Sequence, residues 1–185
     1  MSEVVWHITM SLDGFIAGPD DSMEWAFGAW EGSDSNRLAD EVMHSTGAIL
    51  AGRRWLDVAG AKYGGRQGIY GGRWEGPVFV LTHRATEHDV SDPGITLLAT
   101  ELEDALVTAR DAAGAKNVEI FGANLAAQCL AKHLIDEIVV HVAPVLLGDG
   151  VRMYGQAPDH ERVDLELVDR AESGQVTSLR FRVKR

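Results

Sequence analysis

Apolar and polar positions divide the chain into short runs of two kinds. Residues 4–10, 48–51, 78–81, 95–98, 118–121 and 138–147 are nearly unbroken apolar runs, as strands buried on both faces are. Between them lie segments with apolar residues at helical spacing. These are Leu38, Val42 and Met43; Leu102, Ala105, Leu106 and Ala109; and Leu125, Cys129 and Leu130, toward His133. Ser33 or Ser35 is expected to cap the first of these helices and Gly47 to stop it. Thr100 and Glu103 form a capping-box pattern at the second, which Gly114 ends, and Asn124 stands at the cap of the third. Gly52-Arg53-Arg54-Trp55 reads as the opening of a further helix. Pro144 inside the 138–147 run requires an edge or bulge position. The last two runs alternate. Val163, Leu165 and Leu167 interleave with Asp164 and Glu166, and Leu179, Phe181 and Val183 interleave with Arg180, Arg182 and Lys184. Glu172-Ser173-Gly174 joins the two into a hairpin. This order predicts one α/β domain over residues 1–185. It has a mostly parallel central sheet flanked by helices and an antiparallel C-terminal β-hairpin.

Two segments stand outside this pattern. After a turn at residues 18–22, Met23, Trp25, Phe27 and Trp30 crowd into a short stretch, either a hydrophobic lid or a packing plug. Residues 59–76 carry seven glycines among Tyr63, Tyr70 and Trp74 and read as a long mobile loop.

Charge narrows the possible partners. A formal net charge of −11 removes the basic face that a nucleic acid needs. An anionic ligand must then be met by local cations or backbone N–H groups, which draws attention to Arg53-Arg54, His83-Arg84, Arg66 and Arg73. The single cysteine, Cys129, excludes an intramolecular disulfide and reads as a buried apolar residue. No apolar run approaches the roughly 20 residues that span a bilayer, and no signal-peptide pattern opens the chain, so a cytoplasmic protein with no membrane partner is expected.

The chemistry concentrates at strand ends. Gly52-Arg53-Arg54, Thr82-His83-Arg84 and Gly122-Ala123-Asn124-Leu125 each follow a buried run. Glycine admits close backbone approach to a phosphate, and a helix start adds free N–H groups, so the three turns together suit a dinucleotide with an extra phosphate. Leu12-Asp13-Gly14 places a carboxylate at the end of the first strand. The G-x-G-x-x-G, P-loop and G-x-S-x-G signatures are absent from the sequence. His7 and His141 fall on strands that could be neighbours, and are expected as satisfied core histidines rather than a metal pair; no metal site is expected.

Taken together, four stretches resemble the dihydrofolate reductase-like superfamily, in particular the reductase domain of the riboflavin-biosynthesis deaminase/reductase and its stand-alone relatives. They are the first strand through Leu12-Asp13-Gly14-Phe15-Ile16-Ala17; Gly52-Arg53-Arg54; Phe121-Gly122-Ala123-Asn124-Leu125; and Asp136-Glu137-Ile138 through Ala143-Pro144-Val145-Leu146-Leu147-Gly148-Asp149-Gly150. The resemblance implies NADPH as cofactor and hydride transfer to a small heterocycle. By position it places Thr9, Ile16 and Ala17 beside the nicotinamide, and Gly52, Arg53 and Arg54 at the diphosphate and adenosine phosphate. It places Thr82 and His83, with Arg84, at the ribose 2′-phosphate. Gly122, Ala123, Asn124 and Leu125 would face the diphosphate from the other side, with Gly150 nearby.

Asp13 and Glu31 are the candidate catalytic carboxylates, with Asp13 preferred as a substrate-orienting group. Asp13, Met23, Trp25 and Trp30 are the candidate substrate contacts. The chain departs from the family's pattern in four places. Gly122-Ala123-Asn124 replaces three glycines, Trp55 stands where a threonine is usual, Phe15 follows Asp-Gly where a basic residue is common, and His7 lies near a frequent lysine. The expected function is an NADPH-dependent reduction of a pteridine- or aminopyrimidine-type substrate. The alternatives are the 5-amino-6-(5-phosphoribosylamino)uracil reductase step of riboflavin biosynthesis, and a non-catalytic nucleotide binder on the same fold. A homodimer is expected, because the run from Ile138 and the segment around Trp25 leave apolar surface to cover.

Overall fold

The computed structural model describes residues 2–29, 36–83, 90–155 and 162–185. Ten strands and five α-helices follow one another as β1 (Val4–Ser11), β2 (Phe15–Ala17), α1 (Glu24–Gly28), α2 (Arg37–Ser45), β3 (Thr46–Gly52), α3 (Arg53–Lys62), β4 (Val78–Leu81), β5 (Ile95–Leu98), α4 (Leu102–Ala113), β6 (Asn117–Phe121), α5 (Ala123–Ala131), β7 (Glu137–Ala143), β8 (Val151–Arg152), β9 (Leu165–Ser173) and β10 (Val176–Val183), with a 3-10 segment at Gly65–Gly72 between α3 and β4. The main sheet runs β5-β4-β3-β6-β1-β7-β10-β9. Its first six strands are parallel, and β10 and β9 add antiparallel to β7 as the expected hairpin. A second, two-stranded sheet pairs β2 with β8.

Period-two burial sorts β1 between the two faces. Val4 and Trp6 join Ala48, Leu50, Val118 and Ile120 under α4 and α5. Val5 joins Leu38, Val42 and Val139 under α2, and Ile49, Ala51, Val78 and Val80 continue that face under Ile69 and Trp74. Cys129 is buried with α5 in the first of these cores. Among the described residues, no helix is long and apolar enough to cross a membrane.

Several local expectations are corrected. Asn36, not Ser33 or Ser35, caps α2, its side chain accepting from the Ala39 N–H at 3.1 Å; the two serines lie outside the described residues. Gly47 stops nothing. It lies inside β3, where a side-chain carbon would come within 2.6 Å of the Ala113 carbonyl oxygen, so glycine lets the strand pass beneath the end of α4. The capping box at Thr100 and Glu103 does not form: α4 starts from Glu101 without a side-chain cap, although Gly114 ends it as expected. Asn124 sits inside α5, bonded to Gln128, and Gly122 takes the cap position. Met23 and Trp25 bracket the start of α1, a helix whose shortness left no periodic signal.

The glycine-rich stretch is no mobile loop. Residues 59–62 complete α3, Gly65–Gly72 winds into 3-10 turns, and Ile69 and Trp74 are buried. The strand from Ile138 ends at Ala143, before Pro144, and lies between β1 and β10. It therefore exposes no apolar edge for a second copy. The exposed apolar residues of the hairpin are Leu165, Leu167 and Val168 on the outermost strand, β9.

Candidate functional site

All six parallel strands point their C-terminal ends at one edge of the sheet, the edge where ligands collect in such folds. The chain leaves β3 and β6 there toward opposite faces, through α3 and α5 respectively. Ala51 and Phe121 are register partners, so Gly52 and Gly122 stand side by side at the two helix starts. Neither helix has a side-chain cap, which leaves two adjacent sets of first-turn N–H groups at the positive ends of two helix dipoles. Gly122 adopts φ +101°, which favours glycine, and a side-chain carbon there would meet nothing within 4 Å. Leu81, paired with Gly52, carries the row on to Thr82, which is buried, and His83, which is exposed. Trp55 meets Phe121 edge-on across the two strand ends, 5.9 Å between ring centres.

The arginines expected at this edge are engaged elsewhere. Arg53 bonds Asp57 at 2.9 Å within α3, and Arg54 reaches Asp21 at 2.6 Å. Arg84, Trp30 and Glu31 lie outside the described residues. Met23 donates its N–H to the Tyr63 hydroxyl at 2.8 Å, and Trp25 donates its indole N–H to the Ser22 carbonyl. Ile16 and Ala17 are buried in β2, Ala123 and Leu125 are buried in α5, and Asn124 is exposed. Gly150, at φ +134°, lies so close to β2 that a side-chain carbon would overlap the Ala17 carbonyl oxygen.

Asp13 is a latch. Its carboxylate accepts from Ser11 Oγ at 2.6 Å, from the Leu147 N–H at 3.1 Å and from the Gly148 N–H at 2.7 Å, tying the end of β1 to the loop before β8. The Ser11 bond leads the causes that hold its pKa down to about 2, with the Gly148 and Leu147 bonds acting the same way against desolvation. A carboxylate ionised that firmly has no proton to donate near neutrality. Close by, β8 lays the Arg152 guanidinium over the Phe15 ring, 4.6 Å from its centre. A side-chain carbon on Gly14 would stand 3.7 Å from Arg152 Nη1, so β8 brings a cation to the spot where Phe15 supplies none.

Beneath this edge, on the α2 face, runs a buried polar cluster. His7 Nδ1 lies 2.7 Å from the Tyr70 hydroxyl and 3.1 Å from Glu119 Oε1, while its Nε2 meets His141 Nε2 at 2.5 Å. Tyr70 and Thr46 donate to Glu119 at 2.9 and 3.0 Å, His141 Nδ1 meets Ser178 Oγ at 2.7 Å, and Asn36 donates to Ser178 at 2.6 Å. Burial, then the neighbouring His7, pushes the His141 pKa down to about 2, and burial pushes the Tyr70 phenol well above its usual range. The two histidines are neighbours as their strands suggested. Glu119 and Tyr70 were missed; the one signal in the sequence is a lone carboxylate between Val118 and Ile120. Among the described residues, no group of three or more histidine, cysteine or carboxylate side chains is placed to hold a metal.

Solved structures share this architecture along the whole chain. A protein of Shewanella sp. PV-4 assigned to riboflavin biosynthesis superposes with a TM-score of 0.79 at 24% identity, covering 100% of both chains. The riboflavin biosynthesis reductase of Saccharomyces cerevisiae gives 0.64 at 14% identity, covering 100% of this chain and 90% of that one. A diaminohydroxyphosphoribosylaminopyrimidine deaminase/5-amino-6-(5-phosphoribosylamino)uracil reductase of Thermotoga maritima gives 0.66 at 16% identity; this chain spans 57% of that longer protein. No curated protein sequence matches. The family model of the RibD C-terminal domain matches residues 2–179, and the chain belongs to that family.

Proposed function

We propose that the protein is an NADPH-dependent reductase of a ribosylaminopyrimidine, the 5-amino-6-(5-phosphoribosylamino)uracil reduction named for the Thermotoga maritima neighbour. The observation that carries this reading is the pair of uncapped helix starts at Gly52 and Gly122. An acidic chain otherwise has little with which to hold a diphosphate, and two adjacent sets of N–H groups supply that hold without a net positive charge. Gly52 and the residues from Gly122 to Leu125 would hold the diphosphate, Thr82 and His83 the 2′-phosphate, and Thr9, Ile16 and Ala17 the nicotinamide. Arg53 and Arg54 would join only by exchanging Asp57 and Asp21 for phosphate oxygens. When bound, the dinucleotide supplies the hydride. Asp13 keeps the β1 turn in place against residues 147 and 148, and Gly150 lets β8 close on β2.

Arg152 favours a phosphorylated substrate over a bare heterocycle. It places a cation at the Asp13-Gly14 turn, and among the described residues it has no carboxylate partner. The test is direct. NADPH should bind tighter than NADH and be oxidised in the presence of 5-amino-6-(5-phosphoribosylamino)uracil. Equal affinity for the two dinucleotides would remove the Thr82 and His83 assignment, and tight NADPH binding without turnover would favour a non-catalytic binder. Arg152→Ala should raise the KM for this substrate about tenfold, with NADPH affinity unchanged.

A further inference from the structure

The buried polar cluster has a direction, and a helix cap sets it. The Ala39 N–H can only donate, so the Asn36 atom 3.1 Å from it is the carbonyl oxygen, and the amide nitrogen faces Ser178 Oγ. Ser178 Oγ therefore accepts a hydrogen bond from Asn36. Among the described residues, the acceptor within reach of its own proton is His141 Nδ1, at 2.7 Å. An imidazole that accepts at Nδ1 carries its proton on Nε2, and burial keeps His141 neutral. That proton points at His7 Nε2, 2.5 Å away. His7 must then carry its proton on Nδ1, shared between the Tyr70 oxygen and Glu119. Tyr70 donates its own hydroxyl hydrogen bond to Glu119, and the chain ends there.

We propose that Asn36, Ser178, His141 and His7 form a one-way hydrogen-bond chain that positions Tyr70 and the Thr9 end of β1. Both targets need positioning. Tyr70 holds φ +51°, which a non-glycine residue keeps only when its surroundings hold it, and its hydroxyl bonds Glu119 on β6 while its ring stacks on His7. Thr9 shares its face of β1 with His7 and is the register partner of His141. Any rearrangement of the two imidazoles therefore moves the floor beneath Thr9. As residues acting on the reaction, these four rest on the reductase reading above, in which Thr9 borders the nicotinamide. The direction of the chain does not rest on it.

Asn36→Asp tests both claims. Aspartate keeps the oxygen that caps α2 but cannot donate, so Ser178 turns its proton toward it and His141 must take its proton on Nδ1. Nitrogen-15 NMR of the full chain, labelled at histidine, should show His141 protonated on Nε2 and His7 on Nδ1, and both reversed in Asn36→Asp. The variant should lose about tenfold in kcat, with NADPH affinity within about twofold of the unmodified protein. The amide shifts of Thr9 and Tyr70 should move. Ser178→Ala should reproduce the kcat loss and Ser178→Thr should restore it, and this pair carries the comparison if Asn36→Asp does not fold. An Nδ1-protonated His141 in the unmodified protein overturns the direction. Reversed tautomers with unmoved Thr9 and Tyr70 shifts, or with unchanged kcat, overturn the positioning role. An unmodified protein that never turns over the aminopyrimidine sinks the reductase reading instead, and the tautomers and amide shifts still decide the chain.

Discussion

Asp13 and His141 both carry lowered pKa values, for opposite reasons. Three hydrogen bonds favour the ionised form of Asp13, whereas burial disfavours the charged form of His141. In both cases the unfolded chain binds the proton more readily, so stability falls as pH falls, but over different windows. For Asp13 the stabilisation is complete above the ordinary carboxylate pKa of 3.8 and is lost as pH drops through about 2. The urea midpoint of Asp13→Asn should therefore lie below that of the unmodified protein by a constant amount near neutrality, with the gap closing only below about pH 4. For His141 the loss begins near 6.5 and continues toward about 2. Between pH 6 and 4 the protein should lose up to about 1.4 kcal/mol per pH unit, and His141→Gln should flatten that slope in urea titrations. At this scale the sequence was legible where a carboxylate coincides with a turn, as at Asp13-Gly14, which ends β1. Tyr70 and Glu119 stand 49 positions apart, and nothing local to either residue announces the other.

At the scale of elements, strand cores were readable because continuous apolar runs have few other fates. The starts of α2, α4 and α5 were misplaced by a residue or more because Ser, Thr and Asn near a boundary all suit a cap, whereas α3 opens at Gly52-Arg53 as read. The choice falls to whichever side chain the packed helix turns toward its own N–H groups, as Asn36 does. Gly52 permits a sharp test of the cofactor edge. Its φ of −82° suits any residue, and a side-chain carbon there would make only ordinary contact with Leu125. Gly52→Asp should cap α3 and raise stability by a few tenths of a kcal/mol. It should also place a negative charge where a phosphate would lie and cut NADPH affinity by tenfold or more, read by titration and by thermal melts on one sample. Gly150→Ala should do the reverse of a cap. Overlap with the Ala17 carbonyl and a left-handed φ of +134° should lower the melting temperature, with a cost of about 1–3 kcal/mol or more.

For the whole molecule, the edge strand β9 presents exposed apolar side chains. Leu165 and Leu167 are exposed on β9, and we expect a second copy of the chain to bury them. Light scattering at micromolar concentration should give a dimer's mass, and Leu167→Glu should return it to a monomer's; a monomer in the unmodified protein would remove the expectation. The sequence by itself determined the fold class, since alternating buried runs and amphipathic segments with a closing hairpin leave few layer arrangements. It also marked the glycine turns at Gly52 and Gly122 and the hydroxyl- and base-bearing turn at Thr82, because turn chemistry is a local property. Tertiary structure alone decided that Gly52 and Gly122 stand side by side, since strand order is not written in either strand. It alone turned Arg53 and Arg54 toward carboxylates. It alone wound residues 59–76 into helical turns anchored by Ile69 and Trp74, because a glycine-rich stretch is ordered by what it lies against and not by its own composition.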